Sequence, residues 1–388
     1  MLAPEPFHLM IKPAGARCNL ACEYCYYREK TALYPGSNLR MDEATLERVT
    51  AAYLEAHPGP EVVFGWQGGE PLLMGLDFFR RALELQTRYV RPGVRVSNAV
   101  QTNGMLVDDA WAEFFAAQQF LVGISLDGPP ELHDAYRRDP ADRPSHAAAL
   151  RGLAALQRHG VEYNALVTVN RRNASHLLEV YQYLTGLGVR FLQFIPIVER
   201  RSPGSLRLAS WSVRPEAYGE GLGAVFDHWA RHDVGRVFVQ LFESALAVHL
   251  GGLPTVCAFA PTCGRCLVVE HNGDLYACDH FVYPEYRRGQ VTPEGLLELL
   301  EGPEQRQFGQ DKAERLPRAC RRCPVLAFCG GDCPKHRLEE TGEGPPLSHL
   351  CSAYRRFFRH SAPALRAMAA EIRAGRPASC LRPGPRGA

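Results

Sequence analysis

Apolar runs alternate with amphipathic segments over the first half of the chain, and this alternation most restricts the possible folds. The runs are rich in β-branched and aromatic side chains, as is typical of buried strands. Three of the segments between them begin with helix-starting residues, at Asp42-Glu43, at Asp108-Asp109 and at Ser145 or His146. The predicted strands are His8–Ile11, Glu61–Trp66, Val94–Gln101, Leu121–Leu126, Tyr163–Val169 and Phe191–Val198. Six strands that alternate with helices predict a parallel sheet, with functional loops at the C-terminal ends of its strands.

This α/β pattern fits two architectures, a partial (β/α)6 barrel and an open doubly wound sheet. The residue pattern alone does not distinguish them, because both join parallel strands through helical crossovers. After the last strand, Arg214–Val234 has a proline near its start and apolar residues at helical spacing, which predicts a bridging helix. We therefore divide the chain into an α/β module (1–235), a cysteine-rich module (236–370) and a Gly-, Pro- and Arg-rich tail (371–388) that we expect to be disordered.

Thirteen cysteines fall into two groups, three between Cys18 and Cys25 and ten from Cys257 onward. The N-terminus lacks the basic and apolar regions of a signal peptide, and no apolar run reaches transmembrane length, so we expect a cytoplasmic protein. Thiols stay reduced in that compartment, so thirteen cysteines indicate metal ligation rather than a disulfide framework, and their odd number agrees with this. Lys and Arg total 44 against 42 for Asp and Glu, a balance that provides no field to attract nucleic acid or an anionic membrane.

The first group, Cys18, Cys22 and Cys25, follows the first predicted strand. Three thiolates on one short loop can hold a four-iron cluster and leave one iron open to bind and reduce a small ligand. A structural zinc site would normally take a fourth protein ligand, and no candidate lies nearby in the sequence. The alternative is three ordinary buried cysteines, since free cysteine is often buried. The C-x3-C-x2-C spacing on an aromatic loop favours the cluster.

Polar loops follow the next three predicted strands. The first is Gln67-Gly68-Gly69-Glu70-Pro71, whose glycines expose backbone carbonyls and whose glutamate adds a negative charge, as binding of an ammonium group requires. The other two are Gln101-Thr102-Asn103-Gly104 and Ser125-Leu126-Asp127-Gly128. Each loop is also a common turn sequence, so the residue types alone leave a purely structural role open.

The second group of cysteines has the most specific spacing in the sequence. Its candidate ligands are Cys257, Cys263, Cys278, Cys320, Cys323, Cys329, Cys333 and Cys351. Eight thiolates suffice for two closed four-iron clusters, and a pair of zinc ribbons is the alternative. Within this region Glu270–Asp274 is predicted to be the turn of a hairpin between Leu267–Val269 and Leu275–Tyr276, which would bring Cys263 and Cys278 together.

The cysteine triplet, with an aromatic residue before its last cysteine, resembles the radical S-adenosylmethionine (radical SAM) superfamily. This resemblance implies the partial (β/α)6 barrel, with a [4Fe-4S] cluster on the triplet and S-adenosylmethionine (SAM) on its open iron. It also implies the residues that bind SAM. These are Gly68, Gly69 and Glu70 for the amino group, with Gln101 and Ser125 in segments that reach the ribose and methionine. An arginine is expected at the SAM carboxylate, and Arg143 is preferred by position to Arg137.

The C-terminal pattern resembles the SPASM extension of peptide-modifying radical SAM enzymes. The resemblance implies two auxiliary clusters and therefore three [4Fe-4S] clusters in all. The implied ligands are Cys257, Cys263, Cys278 and Cys333 for the first auxiliary cluster and Cys320, Cys323, Cys329 and Cys351 for the second. Cys266 stands where a non-ligand residue is expected and is an alternative ligand because of its C-x2-C relation to Cys263, whereas Cys380 lies in the tail as a bystander.

The segments Thr262–Arg265 and Glu270–Tyr286 resemble the anaerobic sulfatase-maturating enzymes, and the resemblance extends from the triplet to about Arg356. It implies oxygen-independent oxidation of a sulfatase cysteine or serine to Cα-formylglycine by a 5'-deoxyadenosyl radical. The implied partners are an unfolded or nascent sulfatase with a C/S-x-P/A-x-R motif and an electron donor such as flavodoxin or ferredoxin. We expect a monomer that binds neither nucleic acid nor membrane.

This oxidation requires a base as well as a hydrogen-atom abstractor and an electron acceptor. Asp279 adjoins the predicted ligand Cys278, and its counterpart in the family is the base; a turn-capping aspartate is the alternative. Tyr27 and Gln67, next to the triplet and the glycine loop, are expected to contact the substrate peptide. Two other functions fit the clusters, a SPASM enzyme that crosslinks a ribosomally made peptide and a non-enzymatic electron carrier. The open triplet and the glycine loop disfavour the carrier.

Overall fold

The computed structural model describes residues 2–201, 207–340, 342 and 344–381. Its strands are β1 His8–Lys12, β2 Glu61–Trp66, β3 Arg95–Thr102, β4 Leu121–Ser125, β5 Tyr163–Val169, β6 Phe191–Pro196, β7 Phe238–Val239, β8 Cys266–Glu270, β9 Asp274–Tyr276, β10 Arg287–Gln290, β11 Arg337–Glu339 and β12 Leu347–Ser348. Its α-helices are α1 Glu43–Ala56, α2 Leu76–Tyr89, α3 Asp109–Ala117, α4 Pro130–His133, α5 His146–Arg158, α6 Leu177–Gly186, α7 Pro215–His232, α8 Gln240–His249, α9 Leu296–Leu300, α10 Pro303–Glu314, α11 Arg318–Arg321, α12 Leu326–Cys329 and α13 Cys351–Arg373. None of the helices in these ranges is long and apolar enough to cross a membrane.

The six predicted strands are all present. β2 and β5 have the predicted bounds, and the other four differ from the prediction by one or two residues. The predicted helix starts are also confirmed, because the side chain of Asp42 accepts a hydrogen bond from the Thr45 amide (2.7 Å) and caps α1, and Asp108 caps α3 in the same way through Trp111 (3.0 Å). The predicted bridging helix is α7.

The chain forms two compact units that alternate along the sequence. The first contains the residues up to Ser125, then Tyr136–Tyr163 and Cys263–Asp311; the second contains Leu126–Ala135, Asn164–Thr262 and the residues from Lys312 onward. The predicted boundaries at residues 235 and 370 divide the sequence into modules, and they remain a prediction. The two compact units alternate along the sequence and do not have these boundaries. Of the predicted disordered tail, residues 371–373 continue α13 and 378–381 form a short 3-10 helix, while 382–388 lie outside the described residues.

The first unit has a sheet with strand order β10-β9-β8-β1-β2-β3-β4. β1, β2, β3 and β4 are parallel, and β8 pairs in parallel with the free edge of β1, so the C-terminal hairpin extends the N-terminal sheet. Beneath the sheet lies an aromatic core of Trp66, Phe79, Phe115 and Phe120, all at most 1% exposed. Burial of these side chains fixes the strands whose C-terminal ends carry the site.

The second unit contains the parallel strands β5, β6 and β7 and the short antiparallel pair β11–β12. Its core lies between α7, α8 and α13. Phe226 and Trp229 of α7 pack against Phe242 of α8, and Phe242 stacks on Phe357 of α13 with ring centroids 5.4 Å apart. This packing fixes α13, whose first residue is Cys351.

Candidate active site

The strand register of the first unit places several predicted site residues on one face of its sheet. Met10 of β1, Gly65 of β2 and Ala99 of β3 are register partners. Side chains two residues apart along a strand share a face, and these strands all run in the same direction. The face therefore carries Lys12, Gln67, Gln101, Ser125 and Glu270 at the C-terminal ends of the strands.

The cysteine triplet lies on the loop that follows β1. Cys22 is buried, and Cys18 and Cys25 are half-buried. The Leu20 amide donates a hydrogen bond to Cys18 Sγ (3.3 Å), and the side-chain amide of Asn103 donates to the same sulfur (3.7 Å). Donors around a ligating sulfur stabilise its thiolate form, so this loop suits a metal ligand.

The two glycines of the loop after β2 are required by close packing against the cysteine loop. Gly68 has φ +125°, and a Cβ there would lie 2.8 Å from the Gly15 carbonyl oxygen. A Cβ on Gly69 would lie 2.0 Å from the Arg17 carbonyl oxygen, and the Gly69 amide donates to Gly15 O (2.8 Å). The glycine loop is therefore fixed directly against the residues that lead into Cys18.

Glu70 is fully buried and ties this loop to the end of β3. Its carboxylate accepts hydrogen bonds from the Leu72 amide (3.0 Å), the Thr102 hydroxyl (2.9 Å) and the Asn103 amide (2.8 Å). Burial raises the pKa of Glu70 to about 7, although these three donors act to lower it. Burial, followed by the nearby Glu70 charge, raises the pKa of the Cys18 thiol to about 12, so a metal that binds there must displace a proton.

The two candidate arginines for the SAM carboxylate have different surroundings. The Arg143 side chain is 77% exposed and forms an ion pair with Asp139 at 2.7 Å. Arg137 is 7% exposed, and its guanidinium carbon lies 5.5 Å from the ring centroid of Tyr24 on the cysteine loop. The assignment of the SAM carboxylate to Arg143 or Arg137 remains a prediction, with Arg143 exposed and Arg137 buried close to the cysteine loop.

Asp279 is held between two partners. It is the first residue of the 3-10 turn Asp279–Phe281 that follows β9 and Cys278. The Lys12 ammonium lies 2.7 Å from its Oδ1, and the Tyr26 hydroxyl donates a hydrogen bond to its Oδ2. Burial would raise the pKa of Asp279, but Lys12, His280 and Tyr26 lower it to about 2. The carboxylate is therefore ionised, and both of its oxygens are held.

Tyr27 lies beside this carboxylate but is 3% exposed. Its ring packs against Val268 and Tyr276, and its hydroxyl donates to Glu270. Burial and the negative Glu270 raise the pKa of Tyr27 well above its usual value. A contact of Tyr27 with the substrate peptide remains a prediction. Gln67 is half-buried, and its backbone amide donates to the Ile11 carbonyl (2.9 Å), which fixes the start of the glycine loop.

The predicted hairpin is confirmed as β8 and β9, which pair antiparallel. Cys263 precedes β8 and Cys278 follows β9, so the two cysteines stand at the same end of the hairpin. The Gln305 side-chain amide donates to both Gly264 O (2.9 Å) and Ala277 O (3.2 Å), the carbonyls of residues adjacent to the two cysteines. One side chain thus holds both cysteine-bearing segments in place.

In the second unit, four predicted ligands surround one cavity. The cavity has a volume of about 150 Å³ and is lined by Cys320, Cys323, Cys329 and Cys351. Within the described residues, no disulfide joins any of the thirteen cysteines. In the described ranges no group of three or more His, Cys, Asp or Glu side chains is spaced to hold a single metal ion. Four thiols around one cavity are the donor set that a closed four-iron cluster takes.

The remaining cysteines are distributed over both units. Cys257 is exposed at the start of a 3-10 turn, and Cys333 is buried, both in the second unit. Cys266 is the first residue of β8, in register with His8. Cys380 is exposed. The ligand set of the first auxiliary cluster and the role of Cys266 remain predictions.

Two protein-family models match the chain. The radical SAM superfamily matches residues 13–184, and SPASM, an iron-sulfur cluster-binding domain, matches residues 257–324. A serine-type anaerobic sulfatase-maturating enzyme of Bacteroides thetaiotaomicron is 42% identical over 383 residues, which are 95% of this chain and 92% of that protein.

The chain belongs to the anaerobic sulfatase-maturating enzymes. A cysteine-type member of this family from Clostridium perfringens is 32% identical, over 93% of this chain and 97% of that protein. A solved structure, native anSMEcpe with bound AdoMet and Kp18Cys peptide, has a TM-score of 0.85 at 31% identity and covers 95% of this chain and 100% of that chain. The predicted fold class, an α/β radical SAM domain followed by a cysteine-rich SPASM domain, is confirmed, and the chain is a radical SAM oxidoreductase that uses iron–sulfur clusters and SAM.

The sequence prediction for this family member missed three contributions to the site. Lys12 and Tyr26, which hold Asp279, were not among the predicted residues, and Asn103 was considered only as part of a loop. A lysine at the end of the apolar strand L-M-I-K was a detectable signal, because a charge that ends a buried strand needs a partner. That partner lies far along the sequence, and the pattern around Lys12 does not identify it.

Proposed function

We propose that this chain oxidises the active-site serine or cysteine of a sulfatase to Cα-formylglycine, without oxygen and with SAM. The observation that carries the proposal is the 42% identity with a sulfatase-maturating enzyme over 95% of this chain. A match of this extent spans both the N-terminal triplet and the C-terminal cysteines. The partner is an unfolded or nascent sulfatase with a C/S-x-P/A-x-R motif, and an electron donor such as flavodoxin or ferredoxin serves a monomeric enzyme.

The reaction removes one hydrogen atom from Cβ, one proton from the hydroxyl or thiol, and one electron. Serine gives the aldehyde directly, whereas cysteine gives a thioaldehyde that water hydrolyses to the aldehyde with release of hydrogen sulfide. When bound, SAM and the cluster at its site would supply the 5'-deoxyadenosyl radical that takes the hydrogen atom. An auxiliary cluster would accept the electron. Asp279 accepts the proton. Its ionised carboxylate, held by Lys12 and Tyr26 next to the predicted ligand Cys278, supports this role.

The cofactors of this proposal are three [4Fe-4S] clusters and one SAM molecule. The cluster at the SAM site is held by Cys18, Cys22 and Cys25, the first auxiliary cluster by Cys257, Cys263, Cys278 and Cys333, and the second by Cys320, Cys323, Cys329 and Cys351. The cavity lined by the last four supports the second auxiliary site most directly.

The SAM and peptide contacts are proposed from the shared face of the sheet. The backbone of Gly68 and Gly69, with Glu70, binds the SAM amino group, and Gln101 and Ser125 face the rest of the molecule. Arg137 replaces Arg143 as the residue that binds the SAM carboxylate, since it is buried against the cysteine loop. Tyr27 and Gln67 lie beside these groups and contact the peptide.

We further propose serine as the preferred target residue. The serine-type relative is 42% identical to this chain, and the cysteine-type relative is 32% identical. The mechanism accommodates both residues, because each presents an acidic hydrogen on the atom next to Cβ.

Mass spectrometry tests the proposed function. The anaerobically reconstituted protein, with SAM and a reductant, is incubated with peptides that contain S-x-P-x-R or C-x-P-x-R. We expect the aldehyde product from the serine peptide, a slower reaction of the cysteine peptide, and trapping of both products by an aldehyde reagent. A crosslinked peptide without an aldehyde, or 5'-deoxyadenosine without any change in either peptide, would overturn the proposal.

A further inference from the structure

Lys12 ends β1 with a side chain that is 2% exposed. A lysine this deeply buried keeps its charge only if partners replace its water. Its ammonium has two such neighbours, Asp279 Oδ1 at 2.7 Å and the Tyr27 ring, whose centroid is 4.5 Å away. The ring face attracts the cation and at the same time excludes water from it.

The stem of Lys12 is fixed as well. Gly68 lies over it so closely that a Cβ on the glycine would be 3.4 Å from Lys12 Cδ and 3.5 Å from Lys12 Cα. The Lys12 carbonyl accepts a hydrogen bond from the Gly15 amide (3.0 Å). Lys12 is therefore held at both ends, by the glycine loop at its stem and by Asp279 at its ammonium.

The Asp279 carboxylate depends on this fixed cation for its orientation. Its two oxygens are held from different directions, one by Lys12 and the other by the Tyr26 hydroxyl, and its side chain keeps 15% exposure. A base is effective only when its oxygen lies within hydrogen-bond reach of the proton that it takes. Without Lys12, the Tyr26 hydroxyl would still hold Oδ2, but Oδ1 would lose the partner that fixes its position.

We propose that Lys12 is a positioning residue that acts on the oxidation through Asp279. This inference rests on the proposed function. The Cβ hydrogen atom passes to the SAM-derived radical, the hydroxyl or thiol proton passes to Asp279, and the electron passes to a cluster. Lys12 exchanges neither a proton nor an electron in this sequence, and its role requires no contact with peptide or SAM. Its function is to hold the acceptor oxygen in place.

The test compares Lys12→Met, which keeps the stem and removes the charge, with Lys12→Arg, which keeps the charge. The measured quantity is formylglycine formed per 5'-deoxyadenosine. We expect Lys12→Met to lower this ratio at least ~10-fold, while 5'-deoxyadenosine formation changes by less than ~3-fold. Lys12→Arg should recover part of the ratio. An unchanged ratio in Lys12→Met would overturn the proposal.

Lys30 provides a matched control. It is also a buried lysine over a tyrosine ring, 3.3 Å from the Tyr283 centroid, and it forms an ion pair with Glu29 at 2.8 Å. Lys30→Met should keep the parent ratio, because Lys30 holds a different carboxylate. An equal fall of the ratio in both methionine variants would assign the effect to general loss of structure and count against a specific role of Lys12.

A second readout covers a loss of stability in Lys12→Met, which leaves the half-buried Asp279 without its cation. Lys12→Met is also made in an Asp279→Asn background. The midpoint of thermal unfolding is measured for the parent, the two single variants and the double variant. We expect a clear fall in the parent background and a much smaller one in the Asn background, because the two residues act as a pair. Equal falls would overturn the proposal. If the parent oxidises neither peptide, the proposed function fails, and the unfolding cycle still decides whether Lys12 acts on Asp279.

Discussion

At the scale of single residues, Asp279, the proposed base, shows how a charged neighbour keeps a carboxylate ionised. Its pKa of about 2 lies below the value of about 3.9 for an aspartate in an unfolded chain. A group with a lowered pKa stabilises the fold above its unfolded pKa, and this contribution is lost as the pH falls through about 4 toward 2. Near neutral pH the carboxylate is ionised, so we expect that its ionisation does not limit the proposed reaction.

The resulting prediction concerns the pH dependence of Asp279→Asn. The variant should lower the rate of formylglycine formation by about 10²- to 10⁴-fold, by the same factor from pH 6 to pH 9, because the lost base is ionised throughout this range. Cluster content and SAM binding should persist. The rates of parent and variant are measured across that range. An acid limb above pH 6 that is present in the parent and absent from the variant would show that Asp279 titrates there, contrary to its low pKa.

The two arginines give a second residue-scale prediction. Arg137→Ala should weaken SAM binding by at least ~10-fold, since a buried charge-assisted contact to a carboxylate is lost. Arg143→Ala removes a largely exposed side chain paired with Asp139 and should change SAM affinity by less than ~3-fold. Equilibrium binding of SAM to the reconstituted proteins checks both values. The opposite order would restore Arg143 as the carboxylate partner.

At the scale of elements, the glycine loop and the cysteine loop form one packed structure. The prediction is that Gly69→Ala lowers the free energy of unfolding by more than about 2 kcal/mol and impairs binding of the first cluster, because its Cβ would overlap the Arg17 carbonyl at 2.0 Å. Gly186 ends α6, and nothing lies within 4 Å of a Cβ there. Gly186→Ala adds the same methyl group and should be neutral or raise stability by up to about 1 kcal/mol.

Denaturant unfolding under anaerobic conditions and iron analysis of both glycine variants provide the measurement. If Gly69→Ala were as stable and as iron-rich as Gly186→Ala, the loop would have to move freely relative to the cysteines. The conclusion that close packing requires glycine at positions 68 and 69 would then be wrong.

The elements also show which parts of the fold are local in sequence. All six predicted strands and the β8–β9 hairpin were correct, because periodicity and turn residues lie within each segment. The pairing of β8 with β1 was not predicted, since it joins distant parts of the chain through backbone hydrogen bonds that leave no sequence pattern. The same pairing places Glu270 beside Lys12. Asp279 follows the β8–β9 hairpin, so its contacts with Lys12 and Tyr26 also join distant parts of the chain, and they were missed for the same reason. Arg137 and Arg143 both occur on one loop, and only burial distinguished them.

At the scale of the whole molecule, the positions of the cysteines predict that the SAM site and the second auxiliary site have separate functions. The triplet and the residues proposed to bind SAM lie in the first compact unit, and the cavity lined by Cys320, Cys323, Cys329 and Cys351 lies in the second. The ligands of these two sites are therefore each complete within one unit. Loss of one set should leave the other able to bind its cluster.

The last prediction tests this independence. The parent, reconstituted anaerobically, should hold about twelve irons, and replacement of Cys18, Cys22 and Cys25 by Ala should remove about four. This triple variant should form no 5'-deoxyadenosine, because the open iron that binds SAM is lost.

Cys320→Ala or Cys351→Ala should spare 5'-deoxyadenosine formation and abolish formylglycine, since the second auxiliary site is opened while the SAM site is intact. Cys380→Ala is the control, because this exposed cysteine lies outside every ligand set and should change neither product. If the Cys320 or Cys351 variants retained the first cluster yet lost 5'-deoxyadenosine in parallel with formylglycine, the two sites would form one inseparable centre, and the assignment of SAM cleavage to the triplet alone would be wrong.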